Sequence, residues 1–226
     1  TIVGLGKSRR VIAPDQIGHG RSDKPSLKYR VTDFVDYIEE FVDQLRLSQI
    51  DIIGNSLGGW IGARLAIKRP DLVKKLVLVA AGGLKPSSEF RREIEKFDFT
   101  MSSLSSTRFM LEKSFYNKQR YASTFTTTLT YIFRRVSGNQ EIIRTIIKSA
   151  DEPSEWIDKK LEKIEAETLV LWGREDRILP IDFVEKFAQG IPNVKVEILE
   201  NCGHVPQIER AKDFNRLVEE FLKSSR

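Results

Sequence analysis

A serine hydroxyl becomes a useful nucleophile only beside a base, and the base works best when a third group fixes its orientation. Ser56 sits in Gly54-Asn55-Ser56-Leu57-Gly58, a Gly-x-Ser-x-Gly pattern with an apolar run before it and an amphipathic stretch after it. That placement predicts a sharp strand-to-helix turn whose small flanking residues let strand and helix approach closely. The hydroxyl would then stand at a helix N-terminus, where backbone N–H groups and the dipole favour developing negative charge. The bare pattern is common, and its plain reading is a tight turn that happens to contain serine. The strand before and the helix after favour chemistry.

The chain has two histidines, so the choice of base is narrow. His204 lies in Asn201-Cys202-Gly203-His204-Val205-Pro206, just after the last apolar run, and His19 lies in the glycine-rich stretch Asp15 to Asp23. Both stretches follow predicted strands, where ligands bind in a parallel sheet. Enzymes that carry serine on a strand-to-helix turn run serine, acid, histidine along the chain, which selects His204 and leaves His19 a structural part. The acid is sought between them. Asp176, in Trp172-Gly173-Arg174-Glu175-Asp176-Arg177, follows a predicted strand by a few residues and has Glu175 and Asp182 as neighbours. Pro180 opens the next helix, so Asp182 should point into solvent. Spacing alone does not separate Glu175 from Asp176; the Gly-Arg-Glu-Asp turn favours Asp176.

Other signals carry less. Gly6-Lys7-Ser8 resembles the tail of a phosphate loop, but Thr1 replaces the leading glycine and a strand is expected to follow. Cys202 has no partner for a thiol dyad and reads as a small packed residue. Seven arginines, Arg91, Arg92, Arg108, Arg120, Arg134, Arg135 and Arg144, could hold an acidic substrate, although a solvated helix face is the simpler reading for any one. The 37 Lys and Arg are interleaved with 32 Asp and Glu for a net charge of +5, which speaks against a nucleic-acid footprint. Two histidines and one cysteine are too few for a conventional zinc site. No apolar run is long enough for a membrane helix, and residues 1–10 lack the pattern of a signal peptide. A single cysteine excludes an internal disulfide and points to a cytoplasmic protein.

The elements that must position these side chains follow from the apolar pattern. Strands are expected at Arg10 to Pro14, Gln49 to Ile53, Lys75 to Ala80, Thr168 to Trp172 and Val194 to Leu199, mostly as continuous apolar runs suited to burial on both faces. Helices are expected after a Thr32 cap, over Leu57 to Lys68, over Ile181 to Ala188 and over Ala211 to Leu222. The alternation gives an α/β fold with a mostly parallel sheet flanked by helices. Residues 84–161 break the rhythm with helical fragments and no buried strand, so the organisation reads as core 1–83, helical cap 84–161 and core 162–226.

The motifs Asp15 to Asp23, Gly54 to Gly59, Gly173 to Asp176 and Cys202 to His204, in this order, resemble the α/β-hydrolase superfamily. Gly54-Asn55-Ser56, Ala81-Gly82-Gly83-Leu84 and Asp213-Phe214-Asn215 are most similar to the meta-cleavage-product hydrolases, which split a carbon–carbon bond under a helical cap. The resemblance implies Ser56, Asp176 and His204 as the catalytic triad and the Leu57 N–H as an oxyanion donor. It also implies opening strands and a His-Gly loop with a second donor ahead of Thr1, so the sequence is expected to lack that part of the fold. The substrate-carboxylate arginine of that group has no clear counterpart; Arg134 and Arg135 lie nearest its expected region, and Val205 stands where tryptophan commonly follows the histidine. The reading of the residues is acyl-transfer hydrolysis of a small carbonyl substrate of carboxylic-ester type. Carbon–carbon bond hydrolysis is the alternative, and a ligand receptor on the same scaffold is a second. The expected partner is a small-molecule substrate, with no cofactor, metal, nucleic acid or membrane; a homodimer stays open.

Overall fold

Four runs rich in valine, leucine and isoleucine build the sheet. β1 (Ile50–Asn55), β2 (Val73–Val79), β3 (Glu167–Gly173) and β4 (Val194–Leu199) lie side by side in that order, all parallel, in a computed structural model that describes residues 1–224. Ile53 pairs with Val77, and Val77 with Leu169, so apolar residues stand in rows across the ladder. Because side chains alternate along a strand, Leu76, Leu78, Val170 and Trp172 enter one core while Val77, Val79, Leu169 and Leu171 enter the other. Two buried faces explain why β2 and β3 read as continuous apolar runs.

The helices are α1 (Ile2–Leu5), α2 (Val31–Gln44), α3 (Leu57–Lys68), α4 (Ser88–Ile94), α5 (Leu104–Ser114), α6 (Lys118–Tyr121), α7 (Thr124–Ser137), α8 (Gln140–Ala150), α9 (Asp182–Gly190), α10 (Pro206–Glu209) and α11 (Ala211–Lys223). α2, α3 and α9 supply Phe34, Trp60, Leu65, Phe183 and Phe187 to the larger core. Leu5 of α1 and Phe214, Leu217, Val218 and Phe221 of α11 close the opposite face. Each large apolar side chain buried there contributes about 1.5–3 kcal/mol relative to exposure.

Two local expectations are corrected. Arg10 to Pro14 forms no strand: ladder pairing defines a strand, and this segment has no neighbouring strand among the described residues, so Val11 packs beside the Leu5–Phe214 cluster instead. Thr32 does not cap α2. The N-cap is Arg30, whose N–H donates to Asp33 Oδ2 at 2.9 Å. Thr32 is drawn to the buried Glu155, which accepts its N–H and its hydroxyl at 2.9 Å each, while Arg64 donates to the Glu155 carbonyl at 2.7 Å and to the Thr32 hydroxyl at 2.9 Å. A buried carboxylate without such donors would be costly, and that cost outweighs a cap.

Residues 84–161 hold α4 to α8 and the start of a 3₁₀ turn (Asp158–Lys163), with no strand among them. The two ends of this segment are tied together where they leave the sheet. Ile157 N–H donates to the Gly83 carbonyl at 2.9 Å, and Lys85 N–H donates to the Asp158 carboxylate at 2.9 Å.

Lys75 fixes the far end of the sheet. Its side chain is buried, and Nζ donates to the carbonyls of Phe221 and Ser224 at 2.8 and 2.6 Å, with Glu167 at 3.4 Å. A cation at a helix C-terminus satisfies carbonyls that have no intrahelical donor. Lys75→Ala should therefore lower unfolding stability by about 3–5 kcal/mol, seen as a lower urea midpoint with an unchanged slope.

Candidate active site

Ser56 lies between the end of β1 and the start of α3 with φ +54° and ψ −117°, a conformation non-glycine residues rarely adopt. Holding it there costs about 1–3 kcal/mol. The surroundings impose it: Ser56 N–H donates to Val79 O at 2.9 Å, and Ser56 O accepts Trp60 and Gly82 N–H at 3.1 Å each. A Cβ at Gly54 would lie 2.2 Å from Gly58 O, so glycine is required two residues before the serine. The second glycine of the pattern, Gly58, has open space around it, contrary to the expectation of close packing on both sides. Leu57 opens α3, so its N–H has no intrahelical acceptor and sits at the positive end of the dipole.

His204 and Asp176 meet as one unit. His204 Nδ1 lies 2.8 Å from Asp176 Oδ2, and the Asp176 side chain is fully buried. The other carboxylate oxygen, Oδ1, accepts the N–H groups of Ile178 and Leu179 at 2.8 and 3.0 Å, which locks its rotation. With Nδ1 committed to the carboxylate, Nε2 is the ring nitrogen free to exchange a proton.

The serine turn and the histidine loop are joined by the residue before the serine. Asn55 Nδ2 donates to Val79 O at 3.0 Å and to His204 O at 3.1 Å, while Asn55 Oδ1 accepts Gln207 Nε2 at 3.1 Å. Ser56 itself is half-buried, and its hydroxyl has no protein hydrogen bond among the described residues. A serine–histidine bond of this kind commonly tightens only when substrate is bound.

The rivals of Asp176 have other work. Glu175 Oε2 accepts Cys202 N–H at 2.9 Å, and its own N–H donates to Cys202 O at 3.0 Å, so Glu175 holds the loop that carries the histidine. Asp182 is exposed on α9, 3.4 Å from Lys186. His19 is elsewhere, with Nδ1 3.2 Å from Ile17 O and its ring beside Phe34. Cys202 is buried, and burial pushes its thiol up to about 12, away from thiolate chemistry at neutral pH.

Helices from residues 84–161 reach the histidine loop. Ser114, the last residue of α5, accepts His204 N–H at 2.8 Å, and a Cβ at Gly203 would lie 2.4 Å from that same carbonyl. Val205 packs against Leu111, Phe115 and Ala122. Among the seven arginines, Arg91 pairs with Asp151, Arg144 with Glu141, Arg92 with Glu89, Arg108 bonds Thr124, and Arg120 lies over Tyr121. Arg135 is exposed. Arg134 is half-buried on the side of α7 that carries Thr127, has no side-chain acceptor among the described residues, and is pushed below its ordinary pKa by burial. The opposite side of α7 exposes Phe125, Leu129, Ile132 and Val136.

The sequence model of the alpha/beta hydrolase fold matches residues 2–211. The chain belongs to the α/β-hydrolase family. This α/β-hydrolase is 34% identical over 221 residues to 2-hydroxymuconate semialdehyde hydrolase of Pseudomonas putida, covering 96% of this chain and 78% of that one. It is 31% identical to 2-hydroxy-6-oxo-2,4-heptadienoate hydrolase of Pseudomonas putida F1, covering 96% and 80%. Among solved structures, the meta-cleavage product hydrolase CumD of Pseudomonas fluorescens IP01, crystallised with acetates, superimposes with a TM-score of 0.83 at 29% identity, covering 98% of this chain and 82% of CumD. The α/β-hydrolase is thus an enzyme of hydrolytic type, which sets aside the reading as a mere receptor. No described helix is long and apolar enough to cross a membrane.

Proposed function

We propose that this α/β-hydrolase cleaves a carbon–carbon bond in a 2-hydroxy-6-oxo-dienoate, with Ser56 as nucleophile, His204 as base and Asp176 orienting it. Residues 84–161 serve as a cap over the site. The carrying observation is the locked Asp176–His204 pair in a chain similar to hydrolases of such substrates over 96% of its length. A triad does not by itself specify which bond next to a carbonyl breaks. The ester reading rested on the triad alone, and the relatives' substrates favour the carbon–carbon alternative.

The chemistry fits the groups present. In the 2-keto tautomer of such a dienoate, the carbon beside the 6-carbonyl leaves as a conjugated dienolate, a far better leaving group than a simple carbanion. His204 takes the proton of Ser56, Ser56 attacks the 6-carbonyl, and the Leu57 N–H receives the developing oxyanion. The C5–C6 bond breaks, and the electron pair and one proton go to the dienol product. Water then releases the acyl group from Ser56 as a carboxylic acid, with His204 again as base.

The substrate's own carboxylate needs a cation. Arg134 is the arginine of the cap that combines partial burial with the lack of an acidic partner, and a desolvated guanidinium gains most from an incoming carboxylate. Arg134→Gln should raise KM for the dienoate about tenfold or more and leave a neutral ester nearly unaffected. Equal losses on both substrates would remove Arg134 from this part.

The overall proposal is tested by comparing substrates on the purified protein. Loss of the dienolate absorbance of 2-hydroxy-6-oxo-2,4-heptadienoate should proceed with a kcat/KM at least about 100-fold above that for a p-nitrophenyl ester, a preference of roughly 3 kcal/mol in the transition state. A preference for the ester would restore the other reading.

A further inference from the structure

We infer that Glu209 is a positioning residue that makes the placement of the cap and the placement of His204 a single event; the inference rests on the proposed triad and gives it a control point. The Glu209 carboxylate sits half-buried at the end of α10, five residues after the histidine. It accepts three backbone N–H groups from two parts of the chain. Gly203 N–H, next to the histidine, donates to Oε2 at 2.8 Å; Tyr116 and Asn117 N–H, from the cap just after α5, donate to Oε2 at 3.0 Å and to Oε1 at 2.6 Å. A fourth bond runs alongside, from His204 N–H to Ser114 O at 2.8 Å. The stitch therefore joins residues 114–117 of the cap to residues 203–204 of the catalytic loop, with one carboxylate at its centre.

The chemistry of the acceptor matters. A carboxylate can take three N–H donors with lone pairs to spare, and bonds to a charged acceptor are about twice as strong as neutral ones. A glutamine keeps one acceptor oxygen and turns an NH₂ toward a donor, so at least one of the three N–H groups loses its partner. If the stitch loosens, His204 moves relative to Ser56, and a displacement of about 1 Å at such a site costs about 100-fold in rate. The cap moves with it, so substrate binding weakens too. Val205 packed on Leu111 and Phe115 keeps the two parts in contact, which predicts loosening rather than unfolding.

The experiment uses the whole chain with Glu209→Gln and the conservative Glu209→Asp, read by kcat, KM, melting temperature and the rate of covalent labelling of Ser56 by a fluorophosphonate. E209Q should lower kcat and the labelling rate by a common factor of about 10–100 and raise KM several-fold, and E209D should recover part of each. If E209Q does not fold, E209D decides: a smaller loss shared by kcat and labelling supports the inference. A melting temperature that falls while kcat, KM and labelling stay within twofold in either folded variant would overturn it and leave Glu209 a purely structural group. The labelling readout needs no natural substrate. Wild-type protein that labels at Ser56 without cleaving the dienoate would sink the carbon–carbon reading alone, while failure to label would sink the triad and this inference with it.

Discussion

Ser56→Ala should lower turnover of the dienoate by about 10⁴–10⁶ and leave the melting temperature nearly unchanged. The alanine inherits the φ of +54° and the same backbone bonds to Val79, Trp60 and Gly82, so nothing in the turn's architecture depends on the hydroxyl. What is lost is the covalent route: His204 would have only water to activate. Ser56→Gly makes a useful companion. Glycine adopts positive φ without the steric cost, so this variant should be as inactive as the alanine variant yet unfold at a higher urea concentration. Steady-state kinetics and urea melts of the two proteins check both halves. Residual activity within about 100-fold of wild type would remove Ser56 from the nucleophile's place.

Asp176→Asn should lower kcat by about 10⁴, a larger effect than loss of charge alone would suggest. The direction follows from the carboxylate's two oxygens. Oδ1 is held by the N–H groups of Ile178 and Leu179, so an asparagine will keep its carbonyl oxygen there and turn its NH₂ toward His204. Nδ1 must then accept, which places the ring proton on Nε2, the nitrogen that has to take the serine's proton. The imidazole is left in the wrong tautomer, and the loop stays in place. Folding measured by circular dichroism should match wild type while the labelling rate of Ser56 collapses. A loss of less than tenfold would mean that Asp176 does not orient the base.

How far the residues alone led is clearest at single positions. Leu57 to Lys68 was legible as a helix to the residue, because Ser56 before it and Arg69-Pro70 after it give the chain a start and a stop. The strands were legible as apolar runs, β4 to the residue and β1, β2 and β3 with ends off by one or two residues, since β2 and β3 are buried on both sides. Arg10 to Pro14 has the composition of a strand and none of the pairing; whether a run is paired depends on neighbours distant in sequence. Thr32 looked like a cap because local pattern cannot show a buried Glu155, 123 residues away, competing for its hydroxyl.

The site divided in the same way. Ser56 and His204 stood out by scarcity and context. Asp176 and Glu175 could not be separated by spacing, and it took the fold to turn Glu175 back on the Cys202 N–H. In the sequence Asn55 is one letter of a motif, and its bridge to His204 O needs the ends of β1 and of the histidine loop side by side. Glu209 carried no signal beyond a glutamate three residues after Pro206. The bond to be broken was the least legible feature of all, since ester and carbon–carbon hydrolysis ask the same three side chains for the same proton transfers. Arg134 and the similarity to dienoate hydrolases favour the second.

Carbon–carbon cleavage is open to product analysis in ¹⁸O-labelled water. With 2-hydroxy-6-oxo-2,4-heptadienoate, the wild-type protein should yield 2-hydroxypenta-2,4-dienoate without label and acetate carrying one ¹⁸O from the water step, and Ser56→Ala should yield neither. Recovery of intact dienoate from the wild-type protein, with an ester turned over instead, would rule out carbon–carbon cleavage.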